Sequence, residues 1–198
     1  MGTFFSKMYD PVMRPFEKRR IGNIRRKLVS NQQGRILEIG SGTGANFPYY
    51  QEADKIIAIE PDEAMRERSE AKVDEASVPI ELVDASAEQL PFEDDSFDAV
   101  VGTLVLCSIP NLDQALQEIK RVAKDGRPIV FLEHVRLDQP MIGRIQDVVT
   151  PMWKRLCDGC HLNRNTLEII KQNGLSIDQV KEHYKGLFLE IEARNESH

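Results

Sequence analysis

The stretch from Arg35 to Gly44, Arg-Ile-Leu-Glu-Ile-Gly-Ser-Gly-Thr-Gly, constrains the fold more than any other part of the chain. Ile36, Leu37 and Ile39 form the short apolar run expected of a strand covered on both faces. The run leads into Gly40, Gly42 and Gly44. Glycine has no Cβ, so the backbone there can turn sharply and lie against a ligand. A second apolar run, Lys55 to Glu60, ends in a carboxylate. Glu60 stands about 20 residues past the first glycine, the distance at which a ribose diol is gripped. Strand, glycine loop and strand-terminal acid together point to a parallel α/β sheet with a nucleotide-like ligand at its carboxyl edge.

The loop reads G-x-G-x-G, whereas the dinucleotide fingerprint is G-x-G-x-x-G. Ala45 occupies the position of the third glycine, where alanine is sometimes accepted, so spacing alone leaves NAD open. Three stretches carry a more specific resemblance. Leu37 to Gly44 resembles motif I of the class I S-adenosylmethionine (SAM) dependent methyltransferases. Asp84-Ala85, followed by Leu90-Pro91-Phe92, resembles the adenine segment of that family. Asp95-Ser96-Phe97-Asp98-Ala99-Val100-Val101-Gly102-Thr103 resembles the motif that follows it.

The resemblance implies a single α/β unit, a Rossmann-like doubly wound sheet. Seven strands are expected, mostly parallel and ending in an antiparallel C-terminal hairpin. It implies SAM as methyl donor and S-adenosylhomocysteine as product. Donor contacts are expected from Glu38, Gly40, Ser41, Gly42, Gly44 and Asn46 in and beside the loop. Ala45-Asn46-Phe47 is read as opening a short helix, cut by Pro48, whose amides receive the methionine carboxylate. Glu60 grips the ribose, and Pro61 opens the next helix as its first residue. Asp84 accepts from the adenine amino group, the Ala85 N–H donates to the ring, and Thr103 ends the fourth strand beside the sulfonium.

Residues 1–30 read as an N-terminal lid or helical arm, with a helix over Val12–Val29, and residues 31–198 as the donor-binding domain. Tyr9, ahead of Asp10-Pro11, is the lid candidate by resemblance to small methyltransferases. The arm carries +6 on a chain whose net charge is -6. Such an arm packs on an acidic neighbour of its own domain or meets an anionic surface, which allows peripheral membrane contact. The acidic balance argues against nucleic acid as a partner. Cys107, Cys157 and Cys160 are too few for a disulfide framework, which favours a reducing cytoplasm. No apolar run has the length of a membrane span.

The acceptor side is less explicit. Thr103 to Ser108 should line the reaction chamber, with Cys107-Ser108 where many relatives carry histidine; Cys107 reads as a small buried hydrophobe. A fifth strand, Ile129 to Val135, delivers Glu133 and His134, of which alternation turns only one inward. Asn111 and Gln114 have capping-box spacing before an apolar helix stripe. Met141, Ile145, Val148, Val149, Met152 and Trp153 make an amphipathic segment bent at Pro151. Cys157-Asp158-Gly159-Cys160 is a C-x-x-C with no second pair, so no metal is expected.

Thr103-Leu104-Val105-Leu106-Cys107-Ser108, Leu132-Glu133-His134-Val135 and Asp158-Gly159-Cys160 with Asn163-Arg164 look like the thiol S-methyltransferases of animals and their bacterial relatives. Bacterial chains of this pattern also resemble phosphatidylethanolamine N-methyltransferases and quinone C-methyltransferases. The expected reaction is direct methyl displacement onto a small-molecule acceptor, with a thiol as one candidate. His134 is the candidate general base and His161 the runner-up. A SAM-binding module without catalysis and a nicotinamide oxidoreductase remain as rivals.

Overall fold

A computed structural model describes residues 21–156 and 159–196. Tyr9 and the rest of the expected lid, the first half of the expected Val12–Val29 helix, and Cys157 with Asp158 lie outside the described residues.

Seven strands form one sheet: β1 (Gly34–Ile39), β2 (Ala53–Ile59), β3 (Ile80–Val83), β4 (Ala99–Thr103), β5 (Pro128–His134), β6 (Ser176–His183) and β7 (Phe188–Arg194). Their order is β3-β2-β1-β4-β5-β7-β6. The first five run parallel, and β7 pairs antiparallel with both β5 and β6. Among the described residues five helices flank the sheet: α1 (Gly22–Val29), α2 (Glu63–Val73), α3 (Leu112–Val122), α4 (Pro140–Leu156) and α5 (Thr166–Gln172). This is the expected doubly wound architecture with its C-terminal hairpin. Tyr184 and Lys185, both at positive φ, turn that hairpin together with Gly186.

Both faces of the central strands are covered, so their side chains sort by alternation into two cores. Leu37 and Ile39 join Val100, Phe131 and the α3 stripe of Ala115, Leu116 and Ile119 on one face. Ile36 joins Ile56, Val101 and Val130 with Ile24 and Leu28 of α1 on the other. Glu38 shares the period of Ile36, so a carboxyl is carried into the interior on the α1 side. Strand order reverses between β1 and β4, and the crevice at that switch is where an open α/β sheet takes its ligand.

Three local expectations change. Pro61 precedes α2 and is not its first residue: Asp62 caps the helix, accepting from the Met65 N–H at 2.8 Å. The helix expected at Asn46 is a single 3-10 turn, Phe47–Tyr49, which ends where Tyr50 takes up extended backbone. Asn111 does cap α3, accepting from the Gln114 N–H at 3.2 Å, but its own N–H donates to Glu88 and not to Gln114.

Helix α4 is inverted relative to an ordinary surface helix. Its polar Gln146 and Thr150 are buried, while Met141 is 76% and Val148 79% exposed. Gln146 spans the gap to two loops, donating to the Val135 and Leu162 carbonyls and accepting from the Leu137 N–H. The helix runs unbroken through Pro151. Among the described residues no helix is long and apolar enough to cross a membrane.

Candidate active site

The glycine loop joins β1 to the 3-10 turn, and its three glycines, all at positive φ, do different work. A Cβ on Gly40 would collide with Val105, and one on Gly44 would lie 2.7 Å from the Phe47 ring. Those two let the loop pack against its neighbours. A Cβ on Gly42 would meet nothing within 4 Å, so Gly42 borders open space. The neighbouring Ser41 hydroxyl is buried without a hydrogen-bond partner.

Glu60 follows β2 and binds the loop electrostatically. Its Oε2 accepts from the Gly42 N–H at 2.9 Å and its Oε1 from the Asp62 N–H at 3.0 Å. Each carboxylate oxygen retains acceptor capacity after one such bond. Arg66 of α2 ties the next strand end in, donating to the Glu60 carbonyl at 2.6 Å and pairing with Asp84 at 3.2 Å. The Asp84 side chain is 68% exposed, whereas Ala85 beside it is buried. An open cradle at Gly42, an unpartnered hydroxyl and two strand-end carboxylates fit an adenosine-bearing, zwitterionic ligand.

Glu38, Asn46 and Thr103, expected at the donor, turn their side chains onto one another. Asn46 donates to Glu38 and to Thr103, each at 3.0 Å, and accepts from Arg25 at 3.1 Å. Arg25 also donates to Thr103, and the Tyr50 hydroxyl donates to Glu38 at 2.9 Å. All five residues are buried. Burial pushes the Glu38 carboxyl up to about 7, more than its bonds from Tyr50 and Asn46 and the Arg25 charge pull it back. Arg25 is therefore one arm cation that packs on an acid of its own domain.

The acceptor side begins at Leu104, whose φ of 56° is rare for a side chain of its size. The chain reverses there, and Val105–Ser108 cross the carboxyl end of the sheet. Glu133 holds this turn: its Oε1 accepts from the Val105 N–H at 2.8 Å and the Leu106 N–H at 3.0 Å. Glu133 is fully buried, and burial raises its carboxyl to about 7 against those two bonds. Arg164 braces the same turn through the Ile109 carbonyl at 2.8 Å.

Cys107, His134 and Cys160 meet at this turn, their sulfur and nitrogen atoms all within 4.8 Å of one another. His134 Nε2 lies 3.1 Å from Cys160 Sγ. A hydrogen bond from Cys107 holds the Cys160 thiol down to about 4, against its burial and with help from His134 and the Trp153 N–H. Cys107 is buried as expected, but as one member of a cluster and not as a plain hydrophobe. The expectation of no metal weighed only pairs close in sequence, whereas these three ligand-capable groups come from three segments. His161 stands apart: its N–H and ring Nδ1 both reach the Cys107 carbonyl, at 3.0 and 3.1 Å. Its ring lines a cleft of about 450 Å³ with Asp147, Thr150, Lys154 and Asn163.

Arg25, Tyr50 and Arg66 were not singled out from the sequence. The buried carboxyl Glu38 was the available signal for the first two, because an acid inside a strand requires partners.

The methyltransferase domain family matches residues 37–131. Thiol S-methyltransferase TMT1B of Rattus norvegicus is 36% identical over 150 residues, covering 74% of this chain and 62% of the relative. Thiol S-methyltransferase TMT1A of Homo sapiens is 30% identical over 176 residues, covering 87% of this chain and 72% of the relative. The chain thus spans 62% and 72% of the lengths of these two relatives. A SAM-dependent methyltransferase from Aquifex aeolicus shares the fold, with a TM-score of 0.71 over 98% of this chain and 99% of that one at 17% identity.

Proposed function

We infer the reaction from the premise that this chain belongs to the SAM-dependent methyltransferases, and we propose a small thiol as its methyl acceptor. The enzyme class and donor follow from the family. The observation that carries the acceptor is the cluster of Cys107, His134 and Cys160, placed past the ends of β4 and β5 on the edge where β1 ends in the glycine loop. The thiol S-methyltransferases similar to this chain support it.

SAM supplies a methyl group already activated on a sulfonium. The protein then needs to orient the two reactants in line and to exclude water. The glycine loop offers a close backbone surface at Gly42, and Glu60 with Asp84 offers acceptors at the ends of β2 and β3. Beneath them, the Arg25–Asn46–Glu38–Thr103 network keeps the ends of β1 and β4 in fixed register. At the acceptor side the reacting species is the thiolate, because a thiol is a far weaker nucleophile. His134, 3.1 Å from Cys160, is the imidazole positioned to hold or pass the acceptor's proton. His161 faces the separate cleft and is assigned to its mouth.

The test is transfer of labelled methyl from SAM to a small alkyl thiol, with phosphatidylethanolamine vesicles in a parallel reaction. Thioether formation supports the thiol reading, and its absence with any vesicle product overturns it. One observation favours that second, membrane-borne acceptor: the exposed apolar stripe of α4, flanked by Arg144, Lys154 and Arg155. Under that reading the enzyme works peripherally at a lipid surface.

A further inference from the structure

We propose that Cys107, His134 and Cys160 form a three-ligand zinc site whose fourth position takes the acceptor thiol as a thiolate. This rests on the thiol reading above and deepens it: with the ion bound, the metal takes over the stabilisation of the thiolate, and His134 serves as a ligand in place of the proton acceptor.

The three donors are the soft and borderline groups that zinc selects, two thiolates and an imidazole. Zinc–sulfur bonds of about 2.3 Å and zinc–nitrogen bonds of about 2.0 Å set tetrahedral donors roughly 3.5–3.8 Å apart. The three atoms already lie within 4.8 Å of one another, so closure onto an ion needs only small side-chain adjustments. A site with three protein ligands leaves one position open, which is the pattern of catalytic and not structural zinc.

The scaffold around the cluster is cross-braced where a metal site requires it. The turn carrying Cys107 is pinned by Glu133 through the Val105 and Leu106 N–H groups and by Arg164 through carbonyls on either side of the cysteine. The loop carrying Cys160 is joined to the same turn by the His161 N–H on the Cys107 carbonyl. His134 ends β5, so its backbone belongs to the sheet.

The chemistry balances without a further reagent. A coordinating thiol is deprotonated outright, releasing its proton to water. The thiolate sulfur then attacks the methyl carbon of the sulfonium. A sulfur–carbon bond forms, the methyl–sulfonium bond breaks, and its electron pair stays on the leaving sulfur. The products are the methyl thioether, S-adenosylhomocysteine and one proton.

The experiment uses the full chain, purified anaerobically and loaded with cobalt(II) in place of zinc. A bound tetrahedral ion should give one equivalent of cobalt with thiolate-to-metal charge-transfer and visible ligand-field bands. Cys107→Ser, His134→Asn and Cys160→Ser should each abolish or shift those bands. Calorimetric SAM binding checks that each variant is folded, because Cys107 is buried. Adding a small alkyl thiol should shift the ligand-field bands as it enters the open position. Failure to bind cobalt, bands that survive Cys160→Ser, or a Cys107–Cys160 disulfide in metal-free protein each overturns the site. Full thiol methylation by metal-stripped protein also overturns it, while the thiol reading stands. Bands that respond to thiol with no methyl transferred sustain the site and overturn the thiol reaction.

Discussion

At one end of the carboxyl edge, β1 and β2 deliver glycines and a carboxylate held by backbone N–H groups; at the other, the turn after β4, the end of β5 and the loop after α4 bring together two thiols, an imidazole and a buried carboxyl. The first region shapes a surface with its main chain. Its polar side chains are largely spent on one another, in the network joining Arg25, Glu38, Asn46, Tyr50 and Thr103. The second region offers reactive side chains and uses its backbone only as bracing. The difference follows from the chemistry each must serve. A donor that arrives activated needs a fixed shape, whereas an acceptor that must lose a proton needs groups able to hold charge.

If that division is right, substitutions in the first region should damage stability and donor affinity without regard to the acceptor. The largest effect is expected for Glu38→Ala, which removes the acceptor of the Asn46 and Tyr50 bonds and leaves both donors buried. A buried polar group left unsatisfied costs about 1–3 kcal/mol, so the two together cost about 2–6 kcal/mol. Thermal unfolding should shift down by roughly 4–20 °C for a chain of this size. A shift under a few degrees would mean that both donors find other acceptors. Next comes Gly42→Leu, where a side chain at φ +56° would occupy the open space in front of the loop. Donor affinity should fall by ~100-fold or more, equivalent to about 2.7 kcal/mol. Cys160→Ser, in contrast, should leave donor affinity within about twofold, since 1.4 kcal/mol is a full factor of ten.

A smaller effect lies in the pH dependence, where each region carries one carboxyl raised to about 7, Glu38 in the first and Glu133 in the second. The Glu38 carboxyl sits at about 7, above its ordinary value of 4.5. The folded state therefore holds that proton more tightly than the unfolded chain. Its contribution to stability is complete below pH 4.5 and is lost as pH rises through about 7. The limiting slope for one group is about 1.4 kcal/mol per pH unit. Glu38→Gln should reduce the slope of the stability profile across that window and leave the share that Glu133 contributes, measured by denaturant unfolding at stepped pH. An unchanged profile would place the carboxyl nearer its ordinary range.

The individual strands, helices and the C-terminal hairpin could be read from the chain because period-2 and period-3.6 patterns act locally, whereas the seven-stranded, mostly parallel sheet followed from the family resemblance. Each run of Ile, Leu and Val reports its own burial. The glycine loop was legible for the same reason: a positive-φ turn is written in adjacent residues. Two parts were not. The inverted face of α4 defeats a rule that sends apolar residues inward, because Gln146 is needed to satisfy three backbone groups of flanking loops. The meeting of Cys107, His134 and Cys160 depends on how three segments cross at a sheet edge, and no spacing along the chain encodes it. Of the Cys-x-x-Cys motif, Cys160 joins this cluster, and Cys157 lies outside the described residues.

The smallest and sharpest test is Asp84→Ala. Asp84 is largely exposed, and its pair with Arg66 at 3.2 Å is a surface ion pair, worth about 0–1 kcal/mol. Removing it should barely change unfolding. If Asp84 accepts from the adenine amino group, the same substitution removes one hydrogen bond to the donor, worth about 0.5–1.5 kcal/mol. Calorimetry should then show SAM affinity falling about 2–10-fold with stability intact. Arg66→Gln is the necessary companion, because it removes the ion pair and leaves the carboxylate. Weaker binding in Asp84→Ala but not in Arg66→Gln assigns the effect to a direct contact. Equal weakening in both assigns it to the brace between the ends of β2 and β3. Equal affinity in all three proteins removes Asp84 from the donor site and leaves Glu60 and the glycine loop to carry recognition.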